Sequence, residues 1–149
     1  MRPAYVLLAP SAVVYLVSLT CPEAFCVSGN CTNWPGYGVL LLGWTMLGQT
    51  LANDTWFANL LLFVGWALIL LGRRLPAVLP SAGALGLAAT FLLAQDVVTN
   101  EAGIKFAITG VRLGYWLWLA SMAVALVAAM LCVRQQVTGV QSAPGPGRA

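Results

Sequence analysis

Three stretches of this chain, residues 57–72, 75–94 and 113–133, contain no Asp, Glu, Lys or Arg. With its flanking residues, each approaches the ~20 residues that a helix rising ~1.5 Å per residue needs to cross ~30 Å of hydrocarbon. A fourth apolar run, residues 4–20, opens the chain. The remaining charges fall in the gaps between these runs. Hydrophobic residues make up 60% of the chain and charged residues 7%, against roughly 25% charged in ordinary soluble domains. Seven basic and four acidic side chains could not cover the surface of a water-soluble fold of this size. The length suits one helical bundle without a separate soluble domain. A net charge of +3, scattered along the chain, gives no footprint for nucleic acid.

The expected fold is therefore all-α: a polytopic transmembrane bundle with spans near residues 4–20, 55–72, 75–95 and 113–133. For the first run the competing reading is a cleaved signal peptide. Its single preceding charge, Arg2, and the absence of an Ala-x-Ala site favour a retained helix. Residues 21–35 read as a loop, since Pro22, Gly29, Asn30, Asn33 and Pro35 are all turn formers. Residues 36–53 are hydrophobic but interrupted by Gly36, Gly38, Gly43 and Gly48, and they end in Gln49, Thr50 and Asn53. This segment either lies in the interface, dips in and returns, or makes a fifth span. Charge placement favours the four-span count, because Lys and Arg prefer cytoplasmic ends. With four spans, Arg2, Arg73, Arg74 and Arg134 share the inner side, and both termini are cytoplasmic. Residues 21–54 and 96–112 then lie outside. Residues 135–149 are Pro/Gly-rich toward their end and are expected to be disordered.

Histidine is absent, which removes His-ligated haem, His-containing zinc sites and imidazole bases from what the chain can build alone. No ionisable group lies deep in an expected span, as proton relays and ion pathways normally require. No cofactor or metal site is expected. Cys21, Cys26 and Cys31 are evenly spaced in one loop, and Cys132 sits far away in the last span. The favoured reading is one structural disulfide within the loop, leaving a third thiol free. The chemical alternative is a thiol oxidoreductase, although the closely spaced Cys-x-x-Cys pair of such enzymes is missing.

Trp34, Tyr37, Trp44, Trp56, Phe57, Tyr115, Trp116 and Trp118 fall at or near the outer ends of spans. They read first as an interfacial belt. The functional alternative is an outward-open cleft walled by tryptophans and supplied with polar groups by Gln49, Asn59 and Ser121. Asn59 is the most informative of these, because an amide just inside a span must find a partner. Small residues at four-residue spacing, Ala82-x-x-x-Gly86-x-x-x-Thr90 on the third span with Ala84 and Ala88 nearby, and Ser121, Ala125 and Ala129 on the fourth with Ala128 on the same face, mark expected close helix contacts. They suit an antiparallel pairing of the last two helices, or a partner subunit. Asn30-Cys31-Thr32 and Asn53-Asp54-Thr55 match glycosylation acceptors.

Three segments, Gly38-Val39-Leu40-Leu41-Leu42-Gly43-Trp44, Trp56-Phe57-Ala58-Asn59-Leu60 and Gly114-Tyr115-Trp116-Leu117-Trp118-Leu119-Ala120-Ser121, resemble a loose group of small bacterial inner-membrane proteins without an assigned role. The likeness runs over roughly residues 36–122. It implies a multi-pass inner-membrane protein and no particular activity. It also draws Trp44, Trp56, Asn59, Trp116 and Ser121 together as one outer-face cluster. The function expected on these grounds is non-enzymatic: an accessory subunit, or a small binding protein of the immunity or resistance type. Two alternatives stand beside it, an oligomeric transporter or channel for a small neutral solute and a membrane thiol-disulfide oxidoreductase. The expected partners are the lipid bilayer and either another membrane protein or a second copy of the chain.

Overall fold

The computed structural model describes residues 3–141. In chain order the elements are α1 (Pro3–Thr20), β1 (Phe25–Val27), α2 (Gly36–Leu42), a 3-10 turn (Gly43–Met46), α3 (Leu51–Asp54), α4 (Phe57–Leu70), α5 (Arg74–Thr90), a second 3-10 turn (Phe91–Leu93), β2 (Asp96–Val98), β3 (Lys105–Val111) and α6 (Leu113–Gln141). The apolar runs become helices because a backbone among apolar neighbours has to satisfy its own N–H and C=O groups. Among the described residues, three helical stretches are long and apolar enough to cross a membrane: Leu51–Leu70, Arg74–Leu93 and Leu113–Arg134. Leu8–Thr20 and Gly36–Met46 are shorter apolar helices among the described residues.

The long helices form a four-membered bundle. α1 packs on α6, α6 on α5 and α5 on α4, and α4 closes the ring against α1 and α6. The α4–α5 corner is made by Gly72, whose φ of 75° is natural only for glycine. Gly72 N–H donates to Ile69 O and Arg73 N–H to Leu68 O, which together satisfy the last carbonyls of α4.

Small side chains let the backbones approach. Ser121, Ala125 and Ala129 on α6 are fully buried, on the face where the sequence places them. On α5 the expected stripe is displaced. Ala82 and Gly86 lie on the outside, and Ala77, Ser81, Ala84 and Ala88 are buried instead. One helical step rotates a side chain by about 100°, so a stripe shifted by two residues points away from its neighbours. α4 and α5 approach closely at Gly65, where an added Cβ would stand 2.6 Å from Ser81 Oγ.

The expectation of an all-α fold is corrected by a three-stranded antiparallel sheet of order β1-β3-β2. Asp96 pairs with Ala107 and Val98 with Lys105, while Phe25 pairs with Val111 and Val27 with Ile108, across a register shift between Cys26 and Val27. The segment read as a loop, residues 21–35, and the connection 96–112 thus meet in one structure at one end of the bundle. Their unpaired backbone groups find partners in each other.

Residues 36–53 leave from and return to that same end. Gly36 N–H donates to Cys21 O at 3.1 Å, and a Cβ at Gly36 would run into the Ser18 carbonyl at the end of α1. The far end of the segment, Asn53, bonds to β2. At the other extreme, α6 continues to Gln141 instead of giving way to a tail at residue 135, since the first proline beyond it is Pro144. The rest of the expected tail lies outside the described residues.

Candidate functional site

A cavity of about 440 Å³ lies between the sheet and the ends of the long helices, with α2, the Gly43–Met46 turn and α3 forming one wall. Its interior is built of rings. Phe25 of β1 stacks on Trp34 with centroids 5.6 Å apart and 11° between planes, and meets Phe91 at 5.4 Å. Phe91 in turn meets Tyr115 at 5.2 Å, and Tyr115 meets Trp118 at 6.0 Å. Tyr115 and Trp118 share a face because they are three residues apart on α6. Tyr115 Oη–H donates to Ala88 O, which anchors this row of rings to the top of α5.

Below the rings, Asn59 is the polar hub. Its side chain is 4% exposed, and its Oδ1 accepts from Tyr15 Oη–H at 3.0 Å and from Trp118 Nε1–H at 2.8 Å. Its Nδ2 donates to Trp56 O at 3.0 Å. One amide therefore joins α1, α4 and α6, with two acceptor positions and a donor in use. Trp56 Nε1–H donates to Leu40 O at 2.9 Å, and its ring lies where a Cβ on Gly43 would stand, 2.7 Å from Cδ1. This contact seats the α2 segment on the start of α4.

Asn53 closes the other wall. Its Nδ2 donates to Val98 O at 2.9 Å, and its Oδ1 accepts from Val98 N–H at 3.1 Å. The amide thus imitates a neighbouring strand on the free edge of β2. Thr50 Oγ1–H also donates to Asn53 Oδ1 at 2.6 Å. Asn53, the acceptor of the Asn53-Asp54-Thr55 match, is therefore buried and hydrogen-bonded in the folded protein, whereas Asn30 is exposed.

Of the expected cluster, Trp56 and Asn59 line this cavity. Ser121 is buried one turn deeper. Its hydroxyl donates to Trp118 O, and its carbonyl accepts from Ser11 Oγ–H at 2.8 Å. Trp44 and Trp116 are not part of the site. They point outward and remain 57% and 48% exposed. Residue-by-residue reading missed Tyr15, Phe25, Asn53 and Phe91, which come from four different elements. Trp66, within α4, donates from Nε1–H to Ser11 Oγ at 3.1 Å.

The three loop cysteines resolve into a Cys26–Cys31 disulfide and a free Cys21. Among the described residues no group of three or more His, Cys, Asp or Glu is placed to hold a metal ion. In comparisons with known proteins, no family model, curated protein or solved structure matches this chain.

Proposed function

We propose that this chain is a four-span bacterial inner-membrane protein, without catalytic activity of its own, that binds a small apolar or amphipathic molecule beneath a cap on its outer face. The observation that carries the proposal is the ring-walled cavity of about 440 Å³, within the size range of small-molecule sites. The buried polar groups of its wall already have protein partners, while Asn33, Thr99 and Glu101 stand at its more open rim. Asn53 and Asn59 are engaged as above, Thr55 Oγ1–H donates to Ala52 O, and the exposed Thr45 Oγ1–H donates to Leu42 O. A polar ligand would lose water there without replacement hydrogen bonds, so the cavity selects apolar surface.

The route in is from the bilayer. Leu42, Gly43 and Met46 line the cavity, while Tyr37, Leu41 and Trp44 of the same short segment are exposed. Such a segment, apolar on both sides and tipped with aromatics, suits the headgroup boundary of the outer leaflet.

Charge distribution supports the orientation. Glu23, Asp54, Asp96 and Glu101, the chain's four acidic residues, all lie in the segments around the sheet. Arg73 and Arg74 sit at the opposite end, where Arg74 Nη1–H donates to Cys132 O at 3.3 Å, two residues before Arg134. The sheet end holds all four acids, with Lys105 and Arg112 paired to two of them, while Arg73 and Arg74 stand at an end without acids, a bias that matches an outer and a cytoplasmic face. The bacterial inner membrane is the setting that the family resemblance implies.

Native mass spectrometry of the protein released from its own membranes tests the binding reading. A retained apolar molecule is expected, and Ala52→Phe, which places a ring in the cavity, should abolish retention while Trp44→Ala leaves it intact. A protein that emerges empty, and takes up nothing from a panel of fatty acids, isoprenoids and quinones, contradicts the proposal.

A further inference from the structure

One side chain faces both sulfurs of the disulfide. Arg112, which follows β3 directly, donates from Nε to Cys26 Sγ at 3.1 Å and from Nη2 to Cys31 Sγ at 3.2 Å. A neutral sulfur is a weak acceptor, so this placement contributes little while the pair is oxidised. It contributes far more once a thiolate stands at the same point, because an adjacent cation favours the charged form. The two sulfurs also differ in access. Cys26 is 3% exposed, whereas Cys31 is partly open to solvent. The other charge facing this group is Glu23, whose Oε2 lies 3.8 Å from Arg112 Nε. Cys21 turns back onto α1 and donates to Val17 O.

We propose that Cys26–Cys31 is a thiol-exchange site in which Arg112 receives the departing thiolate. A small monothiol attacks as its thiolate at Cys31 Sγ, the accessible sulfur. The Cys26–Cys31 bond breaks as the new S–S bond forms, and the electron pair goes to Cys26 Sγ, beside the guanidinium. A second monothiol thiolate attacks the outer sulfur of the mixed disulfide and releases Cys31, which takes a proton from solvent. Two monothiols are oxidised to one disulfide and the protein pair is reduced to a dithiol, so electrons balance without another reactant. The exchange is stoichiometric, and it stands independently of what fills the cavity.

The test uses the full-length protein in lipid nanodiscs, equilibrated with mixtures of reduced and oxidised glutathione, quenched by alkylation and mapped peptide by peptide. The pair should equilibrate reversibly in the folded protein. At about pH 9.5, where the thiolate is the populated form, Arg112→Gln should shift the equilibrium toward the disulfide by about ten-fold, the effect of losing roughly one pKa unit of thiolate stabilisation. Arg112→Lys should fall between the two, and Glu23→Gln should shift the equilibrium the opposite way. Reduction only on unfolding, or equal constants for wild type and Arg112→Gln, overturns the proposal. Should Arg112→Gln not fold, the pH dependence of Cys26 alkylation in Cys31→Ser decides. A midpoint clearly below the ordinary thiol value of about 8.5 upholds the site, and a midpoint at or above it overturns the site.

Discussion

Asn59 shows how one side chain sets the geometry of a whole end of this bundle. In an apolar interior its amide has few alternatives to Tyr15, Trp118 and the Trp56 carbonyl, so the three helices that carry them are held at fixed rotation. Asn59→Leu removes the acceptor that Tyr15 and Trp118 share and leaves the buried Tyr15 hydroxyl and the half-buried Trp118 indole N–H unpaired. The expected loss is about 1–3 kcal/mol, falling toward ~0.6 kcal/mol if the unfolded chain finds partners within the membrane. Detergent-titrated unfolding followed by tryptophan emission measures it, and an unchanged midpoint would contradict the hub. The need for a partner was legible in the sequence, as an amide inside an apolar run. The partners were not, because they lie 44 and 59 residues away and only the packing brings them close. Glycines give a second residue-scale contrast. A Cβ at Gly114 would stand 2.7 Å from Glu23 O, whereas one at Gly86 meets nothing within 4 Å. Gly114→Ala should therefore cost about 1–3 kcal/mol through overpacking, and Gly86→Ala should be neutral or slightly stabilising. Thermal melts of the two variants side by side distinguish them.

At the scale of elements, the long helices were legible because charge-free runs of spanning length permit little else. Which face of α5 turns inward was not, since Ala-rich sequence offers small residues on several faces. Ala129→Phe should disrupt the bundle, because Ala129 is fully buried, while Ala82→Phe should be tolerated. Size-exclusion profiles in mild detergent report the difference, and aggregation of the Ala82 variant alone would reverse the assignment. The sheet left one overlooked trace. Phe106 and Ile108 alternate with Lys105, Ala107 and Thr109, the period of a strand, and they are half-buried where those three are exposed. β1 left none, being three residues long and defined by a partner more than eighty residues away. Asn53 extends the sheet by a side chain, so Asn53→Ala should free the outer edge of β2. Amide exchange at Val98 should accelerate markedly while exchange in α6 remains unchanged.

For the whole molecule, the two polar connections form one cap because the bundle delivers the ends of α1 and α5 and the beginnings of α4 and α6 to the same place. The opposite end carries the α4–α5 corner with Arg73 and Arg74. The bundle's flanks are apolar, with Leu16, Leu71, Leu75, Leu79 and Val127 all exposed, as suits surfaces that meet lipid and not water. The cavity, the aromatic rim and the Arg112-bound disulfide all lie on the cap side, so each functional reading depends on which compartment that side faces. A reporter active only outside the inner membrane, fused after Asp54, Arg74, Asn100 and Gln136 in turn, measures this directly. Activity is expected after Asp54 and Asn100, and none after Arg74 and Gln136. Activity after Gln136 but not after Asp54 would mean that residues 36–53 cross the membrane, which would divide the cap between two compartments and contradict the account.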